Sequence, residues 1–274
     1  MTPESFSFIA GLVKARSGLI LTPDKGYMLE TRLAPLLKRD GLASLDALAA
    51  KLRGPASTAL AEAVTEALTT NESSFFRDGK PFEHLKRALP ALARVRPAGA
   101  PLRIWSAACS TGQEAYSVAM LLPELALAGR RVEIVGTDIA ESVVARAREG
   151  TFTQFEVQRG LPARLLVKHF QQDAGRWRVS PELRAMVRFE RGNLLGDLRG
   201  FGRFDVIFCR NVLIYFDAPT KGQVLAALAA QLQPDGVLYL GGAETVLGLT
   251  DRLVPVAGER GAYERLGATT ALAG

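Results

Sequence analysis

Apolar residues recur at helical spacing through the first seventy positions. Phe8, Ile9, Leu12 and Val13 fall on one face; Met28, Leu29, Leu33, Leu36 and Leu37 form a second stripe, opened by Pro23 and Asp24 and closed by Gly41. Ser44 is placed to cap a stretch containing Leu45, Leu48 and Leu52 before Gly54, and Leu60, Val64 and Leu68 make a fourth stripe. Residues 1–70 are therefore expected to form a small all-α domain, with its second helix bent at Pro35, which withdraws a backbone donor. From Leu102 the pattern changes to short apolar runs: Leu102 to Ala108, Val132 to Thr137, Phe204 to Cys209 and Gly236 to Leu240. They alternate with helical stretches at Gln113 to Ala128, Glu141 to Arg148 and Thr220 to Gln233. That alternation predicts an α/β domain over 102–274, a parallel sheet flanked by helices. Between about 151 and 190 a short helix, Pro162 to Phe170, and a turn at Asp173 to Gly175 followed by Arg176 to Val179 predict a hairpin-containing insertion. Residues 71–101 read as a linker and connecting helix, with the Ala/Pro/Arg-rich stretch Ala91 to Pro101 as the connector.

The chain has 274 residues, 48% hydrophobic and 23% charged, enough for two modest domains and too apolar for a disordered protein. No apolar run reaches the roughly 20 residues that cross a bilayer, and Met1 to Ala10 carries Glu4 where a secretory leader carries cations. A cytoplasmic protein without membrane insertion is expected. Cys109 and Cys209 stand one hundred positions apart, the wrong spacing for a zinc site, so both are expected as small buried side chains and no metal is expected. The net charge of +6 suits an acidic partner. Its excess is concentrated between Arg146 and Arg191, which is either a docking face or the solvated face of ordinary elements.

Candidate chemistry lies where the apolar runs end. The first gives way to Ser106, Ala107, Ala108, Cys109, Ser110, Thr111, Gly112, Gln113, Glu114 and a helix, a small-residue turn that lets backbone amides approach a ligand. It lacks the glycine spacing of a dinucleotide site and the lysine of a nucleotide P-loop, which leaves a small nucleoside-like ligand or none. The second run ends in Asp138, an acid placed either to accept from ribose hydroxyls or to cap the next helix. The third reads FDVIFCRNVLIYFD and presents Arg210, Asn211 and Tyr215, although Tyr215 and Phe216 also suit a core. The linker TTNESSFFR sets Asn71, Ser73 and Arg77 beside paired phenylalanines, where Asn71 would otherwise be a helix cap.

Taken together, TTNESSFFR, WSAACSTGQEAYS, GTDI, GNLL and FDVIFCRNVLIYFD resemble the chemotaxis receptor methyltransferases, the CheR family, over nearly the whole chain to about Leu266. The resemblance implies a Rossmann-like S-adenosylmethionine-dependent methyltransferase sheet with a small helical domain and an insertion. It implies transfer of a methyl group to glutamate carboxylates on the cytoplasmic helices of chemoreceptors, leaving S-adenosylhomocysteine. Residue by residue it assigns the cofactor to Asn71, Ser73, Arg77, Glu114, Asp138, Asn193, Leu194, Arg210 and Asn211. Arg77 and Tyr215 match the family's residues nearest the transferred methyl. Gly241, Gly242, Ala243, Glu244 replaces a GHSE-like stretch, and the hairpin turn after Phe170 is shorter than in relatives that grip a receptor tether, so tether docking is not expected. Of the cations that meet acidic receptor helices in relatives, the second helix offers Arg32, Lys38 and Arg39.

The implied chemistry agrees with the residues. A glutamate side chain, with an ordinary pKa near 4.3, is already ionised at neutral pH, so no general base is needed. His84 and His169 both lie away from the sheet-edge motifs, and neither is expected to be catalytic. A nucleic-acid methyltransferase is the second reading, weakened because Asn211, Val212, Leu213, Ile214, Tyr215 lacks the prolines that hold a flipped base. A non-catalytic cofactor-binding module is the third. No nucleic acid partner is expected, and no tail suggests an obligate oligomer, so a monomer is expected.

Overall fold

The computed structural model describes residues 1–55, 57–127 and 129–268. Its chain contacts divide into two units, one of Met1–Thr70 with Tyr215–Thr220 and one of Asn71–Ile214 with Lys221–Gly274. Residues 269–274, the end of the expected α/β domain, lie outside the described residues.

The helical unit contains α1 (Pro3–Ser17), α2 (Gly26–Arg39), α3 (Leu45–Leu52) and α4 (Thr58–Leu68). Each expected stripe supplies its core: Ile9, Val13, Leu29, Leu33, Leu48, Leu52, Val64 and Leu68 are buried together. Helix ends are set by local chemistry. Thr2 and Ser44 accept from the Ser5 and Ala47 amides at 3.2 and 3.1 Å, and Gly18 in the left-handed region closes α1. Pro35 is accommodated inside α2. Arg32 Nη1 donates to the Leu68 and Thr69 carbonyls at 2.9 and 2.8 Å, at the open C-terminus of α4, and its side chain is half-buried. Arg39 pairs with Asp40, which also takes Lys51, so Lys38 alone of the three expected cations is exposed without a salt bridge among the described residues.

The second unit begins with an irregular linker, 71–79, and α5 (Lys80–Val95), followed by β1 (Leu102–Ala107), α6 (Gln113–Leu121), β2 (Val132–Asp138) and α7 (Glu141–Glu149). Then come β3 (Thr151–Phe152), α8 (Gln154–Gln158), α9 (Ala163–His169), β4 (Phe170–Asp173), β5 (Arg176–Val179), α10 (Pro181–Ala185) and β6 (Val187–Arg191). The chain ends with β7 (Phe204–Cys209), α11 (Ala218–Gln231), β8 (Leu232–Leu240), β9 (Leu253–Pro255) and β10 (Ala262–Arg265). Seven strands form one sheet in the order β6-β2-β1-β7-β8-β10-β9, parallel except for the pairings made by β10, while β3, β5 and β4 form a separate small sheet. Strand order reverses at β1, so connections leave β1 and β7 in opposite directions and open a crevice at their carboxyl ends.

Boundaries differ from expectation in five places, and in the first α5 runs to Val95, five residues into the stretch expected as the connector. α6 stops at Leu121 because Pro123 turns the chain into a short 3-10 helix, Leu122–Glu124; Ala128, where the helical pattern runs out, lies outside the described residues. β8 starts at Leu232 rather than Gly236, with an irregular register opposite Asp205. β6 pairs with β2 in the main sheet, so the stretch 151–190 divides at residue 187. The antiparallel strands β9 and β10 carry no alternation long enough to be read beforehand.

Cys109 and Cys209 are free and buried, and burial raises both thiols well above their ordinary pKa. Within the cation-rich stretch, Arg146, Arg148, Arg159, Arg164 and Arg188 each pair with a carboxylate, as ordinary solvated faces do.

Candidate active site

The linker is fixed by its two phenylalanines. Phe75 is fully buried edge-on against Phe152 and Phe170, with ring centroids 5.0 and 5.6 Å away, and Phe76 packs on Phe82 of α5 at 5.2 Å. Polar bonds complete the attachment. Ser110 Oγ donates to the Asn71 carbonyl at 2.6 Å, and the Phe76 amide donates to Ser117 Oγ on α6 at 3.0 Å. Asn71 is thus held in extended linker rather than at a helix start. Phe76 and Asp78 both have positive φ, a conformation costly for residues with side chains that is sustained here by this anchoring.

At the carboxyl end of β1, Ala108 and Ser110 also adopt positive φ, at 57° and 51°, ahead of Gly112 at 92°. The Ser110 amide, turned inward, donates to Asp138 Oδ2 at 2.9 Å, and the Ala140 amide donates to Oδ1 at 3.1 Å. Asp138 therefore serves both neighbouring turns with its carboxylate while buried at the crevice. Asn193, after β6, folds its own turn, its Oδ1 accepting from the Leu195 amide at 3.0 Å; Leu194 is half-buried beside it.

Glu114 and Arg210 meet below the linker. Arg210 Nη1 donates to Glu114 Oε2 at 2.9 Å, and Ser106 Oγ occupies the other oxygen at 2.7 Å. Through Nη2 the same guanidinium reaches the Arg77 carbonyl at 2.7 Å and Asp78 Oδ2 at 2.6 Å. A charge with 2% of its side chain exposed is tolerable because of these partners, although its Nε has none among the described residues. Arg77 itself is half-buried and makes no salt bridge among the described residues; Nη1 lies 3.4 Å from the Glu72 carbonyl. Ser73 is half-buried one residue beyond Glu72.

Glu244 was not anticipated. Its Oε2 accepts from the Gly241 amide at 2.7 Å and the Asn211 amide at 2.9 Å, and Oε1 accepts from the Ile214 amide at 3.3 Å. One carboxylate thus ties the carboxyl ends of β7 and β8 together and holds Asn211 at a φ of 60°. The available signal was an acid following two glycines at the end of a strand. Tyr215, four residues beyond Asn211, is grouped by its contacts with the helical unit: its carbonyl accepts from the Ile20 amide at 2.9 Å and its side chain packs on that unit's core. His84 is buried against Tyr239, whose hydroxyl lies 2.8 Å from Nδ1, and His169 is buried in the insertion. No cluster of metal-ligating side chains occurs among the described residues.

A small-residue turn and a buried carboxylate meet at the switch-point crevice of an α/β domain, an arrangement that methyltransferases share. The family model described as the CheR methyltransferase SAM-binding domain matches residues 71–261, and the CheR all-alpha domain matches residues 4–69. The chain belongs to the CheR methyltransferase family. It is 39% identical over 241 residues to chemotaxis protein methyltransferase Cher2 of Pseudomonas putida, covering 85% of this chain and 87% of that one. It is also 39% identical over 253 residues to chemotaxis protein methyltransferase 1 of Pseudomonas aeruginosa, covering 90% and 92%. Among solved structures, PKMT2 from Rickettsia typhi matches with a TM-score of 0.40 and 13% identity, over 62% of this chain and 26% of that one. Membership rests on the sequence matches, and they favour neither the nucleic-acid reading nor the binding-module reading. The cofactor is S-adenosylmethionine, and the residue types at the crevice fit it. No helix among the described residues is long and apolar enough to cross a membrane.

Proposed function

We propose that this methyltransferase esterifies glutamate side chains on the cytoplasmic helices of chemoreceptors. The observation that supports the reading is Arg77, a half-buried guanidinium on the linker with no salt bridge among the described residues. S-Adenosylmethionine supplies an electrophilic methyl group; what remains for the chain is to hold it, align the acceptor and exclude water. Asp138 accepts from the ribose hydroxyls, and Asn193 with Leu194 takes the adenine end. Asn71, Ser73, Arg77, Glu114, Arg210 and Asn211 surround the remainder. Arg77 steers the incoming carboxylate and Tyr215 fixes the sulfonium end. Arg77 acts by position more than by charge, because a tight ion pair would stabilise the ground state and blunt the nucleophile. The acceptor is ionised at neutral pH, so the buried histidines have no proton to move. We assign the chain to the cytoplasm as a monomer.

The test is incubation with labelled S-adenosylmethionine and receptor-containing membranes, followed by alkali and collection of volatile methanol. Methanol that requires the chain, and disappears in folded Asp138→Ala, is the expected result. Tight cofactor binding with no methanol from any receptor preparation would overturn the reading.

A further inference from the structure

The linker acid Glu72 stands next to the guanidinium proposed to receive substrate. Its own carbonyl is the nearest acceptor to Arg77 Nη1, at 3.4 Å, and its carboxylate feels the Arg77 charge. That carboxylate has the same chemistry as the substrate glutamate. It is engaged elsewhere: Arg159 Nη2 holds Glu72 Oε1 at 2.7 Å. Two contacts bear on Arg159 and the residue after it. Its guanidinium lies over the Phe155 ring at 5.6 Å, and the next residue, Gly160, has a φ of 83° and passes so near the Phe75 carbonyl that a Cβ there would overlap the oxygen. The insertion thus delivers one arginine to one linker acid.

We infer that Arg159 is a positioning residue that draws the Glu72 carboxylate away from Arg77 and so keeps an internal carboxylate from competing with the substrate glutamate. The inference rests on Arg77 being the group that receives the substrate. Both side chains of the Arg159 pair are substantially exposed, so its effect is modest; a swing of 0.2–1 kcal/mol, usual for such pairs, corresponds to roughly a 1.4–5-fold change.

Two measurements on the full-length protein test it. In methyl transfer to receptor-containing membranes, Arg159→Ala raises KM for the receptor about 1.4–5-fold, with kcat unchanged. The double variant Arg159→Ala/Glu72→Gln, which carries no competing carboxylate, returns KM to the wild-type value. A wild-type KM in Arg159→Ala, or a double variant that keeps the raised KM, would overturn the inference. The second measurement needs no substrate: NMR titration of the Glu72 carboxyl. In wild type, the hydrogen bond and charge of Arg159 hold it below the ordinary carboxylate range. In Arg159→Ala it stays low because Arg77 takes over, and in Arg159→Ala/Arg77→Ala it rises to about 4.3. A return to about 4.3 in Arg159→Ala alone would show that Glu72 does not turn to Arg77. The parent reading fails separately, if Arg77→Ala keeps wild-type turnover.

Discussion

Arg210 and Glu114 form a buried ion pair, 2.9 Å between Nη1 and Oε2, joining the end of β7 to the first turn of α6 across 96 positions of sequence. Since the same guanidinium holds the Arg77 carbonyl and Asp78, the pair fixes the linker to the sheet. Breaking a buried pair from one side leaves an uncompensated charge, at a cost of about 3–5 kcal/mol. Arg210→Met is therefore expected to lose about that much stability in urea unfolding, and to lose cofactor affinity as well.

Gly160 and Gly175 both have positive φ, yet differ in their surroundings. Alanine at Gly175 meets nothing within contact distance and is expected to cost about 1–2 kcal/mol from its left-handed backbone alone. Alanine at Gly160 adds overlap with the Phe75 carbonyl, for a total of about 2–5 kcal/mol. Chemical denaturation of the two variants side by side separates backbone strain from crowding.

Burial lowers the native pKa of both His84 and His169. Below about pH 6.5, the ordinary imidazole value, the unfolded chain binds protons that the native chain refuses. Stability is thus full above that pH and declines as the pH falls through it toward the native values. Thermal midpoints measured from about pH 8 to 5.5 should fall on the acid side. His84→Gln, which keeps a polar partner for Tyr239, should flatten part of that slope.

Arg32 gives its hydrogen bonds to the end of α4, so Arg32→Ala is expected to destabilise the helical unit by roughly 1 kcal/mol per lost bond, or about 2 in all. Its stem is half-buried, and no docking contact is assigned to it. Receptor KM should remain at the wild-type value; a rise without loss of stability would return Arg32 to the docking surface.

Much of this architecture was readable because each critical position ends a pattern. Asp138 closes an apolar run, Ser106 to Gly112 interrupts one, and paired phenylalanines mark the linker's anchors. What escaped depends on partners distant in sequence. Nothing near Arg210 announces Glu114, and Glu244 serves backbone amides contributed by both strand ends. β6 begins at Val187, inside the stretch expected as the insertion, because its pairing with β2 is a tertiary choice that no local pattern announces. The start of β8 falls inside the helical stretch expected to end at Gln233, because Leu232 and Gln233 continue the spacing of α11.

Tyr215–Thr220 belongs by contact to the helical unit although it is encoded within the other. Phe216 is buried against Gly18, Lys14 pairs with Asp217 at 2.6 Å, and the Tyr215 carbonyl takes the Ile20 amide. A gene cut at codon 70 therefore does not yield two self-sufficient products. The upstream product lacks a strip of its own wall, and the downstream one carries that strip with its apolar side uncovered. The two units are obliged to be inherited together, and recombination that exchanged the first for a foreign helical module would have to bring matching residues at Tyr215–Thr220.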